Sequence, residues 1–188
     1  MSTQEQHGVM KWVNESLTRL KPYEPGRPIE EVAREQGLDP EGILKLASNE
    51  NPLGASPKAL EAIREKADDV FRYPDDGAFY LTRKLAGRYE VDERQLIIGG
   101  GSNEIIELIG HAFLAPGRSA VMSEHAFISY KLVTNLFGAE AVEVPTAGLG
   151  HDLGAMADAV RSDTSVVFLC NPNNPTGTMV GPDEVETF

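Results

Sequence analysis

The stretch Asn171-Pro172-Asn173-Asn174-Pro175-Thr176-Gly177 decides the fold class of this chain. It follows an apolar, β-branched run at residues 166–170, which is typical of a buried strand. It precedes Pro182-Asp183-Glu184, where a proline at the first helical position and acids in the first turn predict a helix. The motif is therefore predicted to form a loop at the carboxyl end of a strand in an α/β sheet, where such sheets bind their ligands.

The composition of this loop suits ligand binding. Two prolines restrict the backbone and remove amide donors, whereas three asparagines offer side-chain amides that both donate and accept hydrogen bonds. A rigid loop that presents a neutral amide to a ligand oxygen stabilises a phenolate without adding a full charge. The alternative is a turn whose asparagines are satisfied internally, because turns use the same residues heavily.

Length and composition narrow the classes of function. A chain of 188 residues is long enough for one domain with a real core, and its net charge of −12 argues against broad binding to nucleic acid or to anionic membranes. The single cysteine, Cys170, allows no disulfide within the chain, which fits a reducing cytoplasm. No apolar run approaches the roughly 20 residues of a membrane-spanning helix. No histidine pattern indicates a metal site.

The order of predicted elements indicates an α/β fold. An arm at residues 1–28 contains helically spaced apolar residues and a proline-rich end, and a βα alternation follows. This alternation predicts a mostly parallel sheet with helices on both faces. The predicted strands are residues 43–47, 95–98, 119–123, 141–144 and 166–170. The predicted helices are residues 29–36, 57–70 with Ser56 as cap, 78–89, 102–114, 127–137, 153–160 and 182–188. The short last helix implies a chain cut in mid-fold.

A glycine-rich turn, Gly99-Gly100-Gly101-Ser102-Asn103, joins the predicted strand 95–98 to the predicted helix 102–114. The free amides and the dipole at such a helix N-terminus bind phosphate readily. The turn lacks the third glycine of a dinucleotide fingerprint and the Gly-Lys-Ser/Thr of a P-loop. It is therefore either a phosphate site or a structural turn in which Ser102 caps the helix. Glu104 is expected simply to favour the helix N-terminus.

Four segments in this order resemble the histidinol-phosphate aminotransferases, a subfamily of the fold-type I aminotransferases that use pyridoxal phosphate. The segments are residues 23–35 (YEPGRPIEEVARE), 46–54 (LASNENPLG), 72–75 (RYPD) and 171–177 (NPNNPTG). The resemblance covers nearly all of the chain, and the family's chains are about twice as long. It implies an N-terminal arm and small-domain segment at residues 1–55. Residues 56–188 would then be the first part of a truncated fold-type I large domain.

The resemblance also implies the cofactor contacts. Asn174 would hydrogen-bond the phenolic oxygen of the pyridine ring, and Ser102 and Asn103 would hold the phosphate. Phe127 would stack on the ring, as aromatic side chains do on flat π systems; ordinary core packing is the alternative for this residue. Many relatives carry Asn at position 100, Asp at 103 and Tyr at 127, so Gly100, Asn103 and Phe127 depart from the family pattern.

Three further contacts are implied outside this group. Tyr73 would reach from one subunit of a homodimer to the cofactor phosphate of the other, although a plain turn tyrosine is equally consistent with the residues. Tyr23 and Asn49 would lie in segments that line the substrate pocket. The Schiff-base lysine of the family is expected beyond Phe188, so no lysine of this chain is given that role and the chain alone is expected to be inactive.

The implied activity is transfer of an amino group from glutamate to imidazole acetol phosphate, which gives histidinol phosphate and 2-oxoglutarate in histidine biosynthesis. An aromatic amino acid aminotransferase and a threonine-phosphate decarboxylase-like enzyme share the same motifs. A hypothesis of another class is a complete, non-catalytic α/β module that binds a phosphorylated ligand through residues 99–102.

Overall fold

The computed structural model describes residue 8 and residues 11–18, 20, 22–23, 26–46 and 48–188. The chain divides into two compact units, Met1–Lys21 with Leu85–Phe188 as unit 1 and Pro22–Lys84 as unit 2. The predicted division at residue 55 stays a prediction. Ala47, the last residue of the first predicted strand, lies outside the described residues.

Unit 1 is built around three parallel strands, β1 (Ser119–Ser123), β2 (Glu140–Val144) and β3 (Thr164–Phe168), in the spatial order β2-β1-β3. Every residue of the central strand β1 is buried. The prediction of β1 is confirmed, and β2 begins one residue earlier than predicted. Strand β3 is shifted two residues towards the N-terminus from its predicted position and lies at an edge of this sheet, so most of its residues are only half-buried.

Within unit 1, helices lie on both faces of the sheet, as predicted. The described helices are α1 (Glu15–Thr18), α2 (Ile29–Gln36), α3 (Pro57–Lys66), α4 (Phe79–Tyr89), α5 (Ser102–Phe113), α6 (Ile128–Leu136), α7 (Leu153–Asp158) and α8 (Pro182–Thr187). Successive side chains of a strand point to opposite faces. Accordingly, Met122 of β1 packs in a core with Ile106 of α5, whereas Val121 packs in a second core with Met156 of α7.

Helices α5 and α6 approach closely at Gly110. A Cβ atom at this position would lie 2.5 Å from the ring of Phe137 and 2.7 Å from Cγ1 of Val133. Both distances are too short for real carbon contacts, so glycine is required for this spacing. The buried backbone of α5 therefore serves as part of the packing surface for α6.

The ends of these helices agree with the residues predicted to start and stop them, except for two predicted capping side chains. Helix α2 ends as predicted at Gly37, which has the left-handed φ of 64°. Helix α3 begins at Pro57, but the Ser56 side chain makes no capping hydrogen bond. Gly101, with a φ of 105°, is the N-cap of α5, so the prediction of Ser102 as the cap is wrong and Ser102 is the first helical residue.

Two predicted strands are absent from the described residues. Residues 43–46 and 96–98 form no regular element, and Gln95 belongs to a 3₁₀ turn, Glu93–Gln95. Leu96 is extended, with φ −113° and ψ 135°, so the β-branched composition did favour an extended backbone. A strand also needs a hydrogen-bonded neighbour, and the sheet formed by the described residues pairs neither segment with one.

 Each segment therefore leaves large apolar side chains exposed, with Leu46 at 84% and Ile97 at 74% of full exposure.

Unit 2 carries an unusual amount of exposed apolar surface. Among its described residues only Ala33 is a buried hydrophobic residue. Large apolar side chains that lie in solvent include Leu53, Val70, Phe71 and Tyr80. Soluble monomers rarely expose contiguous apolar patches of large size, and such patches mark interaction surfaces.

No helix in the described part of the chain is long and apolar enough to cross a membrane.

Candidate functional site

The candidate site of unit 1 lies at the carboxyl ends of β1 and β3 and at the N-terminus of α5. The first turns of α5 and α6 are joined there, because the Ser129 hydroxyl donates a hydrogen bond of 2.7 Å to Oδ1 of Asn103. The contact links residues 26 positions apart in sequence. It therefore places the predicted phosphate segment beside the helix that begins directly after Phe127.

The loop after β3 is held by its own polar groups. The Asn173 N–H donates to the Thr178 carbonyl and the Gly177 N–H donates to the Asn173 carbonyl, each at 2.8 Å. The Asn173 side-chain amide donates to Thr176 Oγ1 at 2.8 Å and to the His125 carbonyl at 3.0 Å. The bond to His125 ties the loop after β3 to the loop after β1. Both X-Pro bonds of the motif, Asn171–Pro172 and Asn174–Pro175, are cis.

Asn173 and Asn174 differ in how their side chains are used. Asn173 is 3% exposed and, within the described chain, its Oδ1 atom is buried with no hydrogen-bond partner. Asn174 is half-buried, and its backbone N–H donates to Sγ of Cys170 at 3.4 Å. None of the hydrogen bonds found among the described residues engages the Asn174 side chain. That amide is therefore free to bind a ligand, whereas the Asn173 amide builds the loop.

Three aromatic side chains pack on one another beside these loops. Phe127 lies edge-on to Tyr130, with ring centroids 5.8 Å apart, and Tyr130 stacks on Phe168 at 4.5 Å with planes only 11° apart. Burial, followed by a hydrogen bond to the Cys170 thiol, raises the pKa of Tyr130 to about 12. Phe127 is half-buried and packs on the α5–α6 core. Both interpretations of Phe127, as a core residue and as a stacking residue, are compatible with this position.

The N-terminus of α5 is open to a ligand. Its N-cap, Gly101, has no side chain and makes no capping bond, and Ser102 and Asn103 are exposed. Amides in the first turn of a helix have no partner within the helix, and the dipole there favours an anion. One part of the turn already holds a carboxylate, because Glu104 accepts a hydrogen bond from the Gly100 N–H. This contact agrees with the expectation that Glu104 favours the helix N-terminus.

The remaining candidate residues belong to unit 2. Tyr73 is fully exposed at 100%, Tyr23 is 59% exposed and Asn49 is exposed. Tyr73 follows α3 and its 3₁₀ extension, Ala67–Asp69. The roles predicted for these three residues stay predictions.

Two features of unit 1 were missed or misjudged from the sequence. Cys170, the last residue of the predicted buried strand at 166–170, lies beyond β3 and is half-buried, and its sulfur contacts the Asn174 N–H. His151, to which no role was assigned, is buried and hydrogen-bonded to both Ser123 and Cys170. A single histidine in a glycine-rich turn carries no pattern by which sequence analysis finds such a cluster.

Comparisons with known proteins identify the family to which this fold and these loops belong. Residues 41–188 match the family model of aminotransferase class I and II, and the chain belongs to that family. It is 56% identical over 172 residues to histidinol-phosphate aminotransferase 2 of Pseudomonas aeruginosa, a match that covers 92% of this chain and 47% of that relative. It is 45% identical over 174 residues to the histidinol-phosphate aminotransferase of Moorella thermoacetica, which covers 93% of this chain and 45% of the relative.

A solved structure gives the same result for the fold. The histidinol-phosphate aminotransferase of Sinorhizobium meliloti, in complex with pyridoxal-5'-phosphate, superposes with a TM-score of 0.79 at 26% identity and covers 93% of this chain and 46% of that chain. These matches confirm the resemblance and the fold-type I class predicted from the sequence. The chain spans about half the length of the curated relatives it matches.

Proposed function

We propose that the complete protein is a histidinol-phosphate aminotransferase that uses pyridoxal phosphate. It would move the amino group of glutamate to imidazole acetol phosphate and release 2-oxoglutarate and histidinol phosphate. The observation that carries this proposal is the 56% identity to the Pseudomonas aeruginosa relative over 92% of the chain. We further propose that the protein acts in the cytoplasm as a homodimer.

The described residues fit pyridoxal phosphate on three counts. The first turn of α5 offers Ser102 and Asn103 to a phosphate without a capping side chain in the way. The Asn174 amide has no partner among the described residues, and a neutral amide donor suits the ring oxygen. The Phe127 ring lies in the loop between β1 and α6, at the same sheet edge. An aromatic face, an amide and a helix N-terminus match the ring face, the ring oxygen and the phosphate of this cofactor.

In this proposal each residue performs a limited task. The amides of Ser102 and Asn103 bind the phosphate oxygens, and the dipole of α5 adds to this attraction. The Phe127 ring fixes the plane of the pyridine ring by stacking. The Asn174 amide donates to the ring oxygen and favours its deprotonated form without adding charge. When bound, the cofactor supplies the electron sink for amino transfer, while the protein supplies orientation and electrostatics.

The proposed homodimer is supported by the exposed apolar side chains of unit 2. Val70, Phe71 and Tyr73 are 83%, 78% and 100% exposed and lie together in sequence. A second copy of the protein is the partner that would cover them in a homodimer. Tyr73 would then donate its phenol hydrogen to the partner's cofactor phosphate, while Tyr23 and Asn49 would contact substrate.

The test is a transamination assay on the product of the complete gene. With pyridoxal phosphate present, we expect turnover of the pair histidinol phosphate and 2-oxoglutarate. An aromatic amino acid is the competing amino donor in the same assay, and threonine phosphate is tested separately for release of CO2. A preference for either substrate would replace the proposed activity. The Asn174→Ala variant should retain the fold but shift the absorption of bound pyridoxal phosphate towards its protonated form.

Two controls separate the proposal from a non-catalytic module. The 188-residue chain alone, which spans about half of its relatives, should give no turnover above that of free pyridoxal phosphate. If the complete protein also gives none, yet binds simple phosphate esters tightly, the enzymatic proposal is wrong and the binding module is supported.

A further inference from the structure

His151 links the ends of two strands through both nitrogens of its ring. The residue lies two positions before α7 and is 9% exposed. Its Nδ1 atom lies 2.7 Å from Oγ of Ser123, the last residue of β1. Its Nε2 atom lies 2.8 Å from the carbonyl oxygen of Cys170, two residues after β3. The two bonds span 28 and 19 residues of sequence, so only the folded chain forms them.

The Cys170 carbonyl determines the tautomer of the ring. A carbonyl oxygen only accepts hydrogen bonds, so Nε2 of His151 carries the proton and donates it. In the neutral ring Nδ1 is then an acceptor, and the Ser123 hydroxyl donates to it. The sulfur of Met156 lies 3.6 Å from the same hydroxyl and is a weaker, alternative acceptor. The ring is thus fully paired in one orientation, which favours a single geometry at this point.

Each partner of His151 precedes a candidate cofactor residue by four positions. Ser123 precedes Phe127 in the loop after β1, and Cys170 precedes Asn174 in the loop after β3. Cys170 is coupled to Asn174 in a second way, since its sulfur accepts the Asn174 N–H at 3.4 Å. The position of Cys170 therefore helps to fix the position of the Asn174 backbone.

We propose that His151 is a positioning residue that holds these two loops together so that Phe127 and Asn174 engage one ligand. The inference rests on the proposed function only for the identity of that ligand, pyridoxal phosphate. The bond from Asn173 to the His125 carbonyl joins the same loops nearer their tips. His151 joins them at their base, where it is shielded from water, and acts on the ligand only through the residues it positions.

Two variants of His151 separate its two hydrogen bonds. In His151→Asn the short side chain places its amide near the position of Nδ1, so it accepts from Ser123 but does not reach the Cys170 carbonyl. In His151→Gln the longer side chain places an N–H near the position of Nε2, so it retains the bond to Cys170. The Ser123 hydroxyl then still has the Met156 sulfur as an acceptor. We therefore expect His151→Gln to keep the hydrogen bond to the Cys170 carbonyl that His151→Asn loses, and so to keep the two loops joined.

A matched pair of serines on β1 tests the other bond without altering His151. Ser123→Ala removes the hydroxyl that donates to His151. Ser119→Ala removes an equally buried hydroxyl at the opposite end of the same strand, where it lies 2.9 Å from Thr164 Oγ1. Both variants delete one buried hydroxyl from the central strand, and only Ser123 belongs to the proposed cluster.

The first readout needs no cofactor. Hydrogen exchange of the complete, cofactor-free protein is followed by mass spectrometry on peptides that cover residues 124–127 and 171–178. The Asn173 and Gly177 amides are hydrogen-bonded within the second peptide. We expect His151→Asn to accelerate exchange there about tenfold, because local opening becomes easier once the Cys170 carbonyl loses its donor. His151→Gln and Ser119→Ala should stay within about twofold of the wild type. Ser123→Ala should accelerate exchange in the first peptide.

The second readout is the pH midpoint at which bound pyridoxal phosphate changes its absorption. His151→Asn should raise this midpoint, as Asn174→Ala is also expected to do, because each variant leaves the ring oxygen without a well-placed amide. If His151 acts through Asn174, adding His151→Asn to Asn174→Ala should change the midpoint no further, whereas independent effects would add.

The outcomes separate this inference from the proposed function. If His151→Asn and Ser119→Ala accelerate hydrogen exchange equally and over the whole chain, His151 only stabilises the fold. The same conclusion follows if exchange in His151→Gln is as fast as in His151→Asn. Additive midpoints in the double variant would also overturn the inference. If the wild-type protein does not bind pyridoxal phosphate, the proposed function fails, and hydrogen exchange alone then decides whether His151 joins the loops.

Discussion

Replacement of Gly110 by alanine tests the packing that supports the sheet. The added methyl group would meet the Phe137 ring at 2.5 and 2.6 Å and the Val133 side chain at 2.7 Å. Alanine gains about 1 kcal/mol over glycine in a helix interior, whereas overpacking a well-packed core costs about 1–3 kcal/mol. Because three contacts are too short at once, we expect the upper part of that cost and a net destabilisation of about 1–2 kcal/mol.

Gly87 provides the matched control for this prediction. It also lies inside a helix, α4, but a Cβ atom there would have nothing within 4 Å. Gly87→Ala should therefore stabilise the protein by about 0.5–1 kcal/mol through helix propensity alone. Unfolding entropy grows with chain length, so in a complete protein of about twice this length about 1 kcal/mol shifts Tm by about 1–2 °C. The two alanine variants should thus differ in Tm by about 1.5–6 °C.

The assay is thermal unfolding of the complete protein followed by far-ultraviolet circular dichroism. Gly110→Ala should lower Tm and Gly87→Ala should raise it. The double variant Gly110→Ala with Val133→Ala removes only the contact with Val133. It should recover only part of the stability that Gly110→Ala loses, because the short contact with Phe137 remains. A Gly110→Ala variant as stable as Gly87→Ala would refute the close approach of α5 and α6.

Three further predictions concern single side chains. Ser129→Ala removes the hydroxyl that donates to Asn103. The affinity for pyridoxal phosphate, measured by fluorescence titration, should fall about fivefold, or about 1 kcal/mol. Unchanged affinity would contradict this prediction. The pKa of Tyr130 is raised to about 12. The contribution of its neutral form to stability is therefore complete below pH 10.0, the ordinary pKa, and is lost as the pH rises towards 12. Tyr130→Phe should remove this decline from unfolding curves measured at alkaline pH. Arg161 lowers the pKa of Glu140 by hydrogen bonding, so this contribution is present above pH 4.5 and is lost on acidification; Arg161→Ala should flatten the acid limb of the stability curve.

Local sequence chemistry was sufficient for most of the helices. Pro57 begins α3 and Gly37 ends α2 because each residue has backbone preferences that need no distant partner. The βα alternation likewise predicted a parallel sheet covered on both faces, since apolar periodicity is a property of each segment. The same reasoning named the loop at 171–177 and the glycine turn at 99–101 as the places where ligand chemistry is available.

Tertiary structure decided which extended segments became strands and which polar groups met. Residues 96–98 have strand composition but no hydrogen-bonded neighbour, and pairing is a property of two segments. Composition alone does not distinguish the three asparagines of the loop, and the fold uses the Asn173 amide to bind the His125 carbonyl. His151 bonds to Ser123 and Cys170 across 28 and 19 residues. Such contacts depend on how strands are ordered in space, and no local pattern encodes that order.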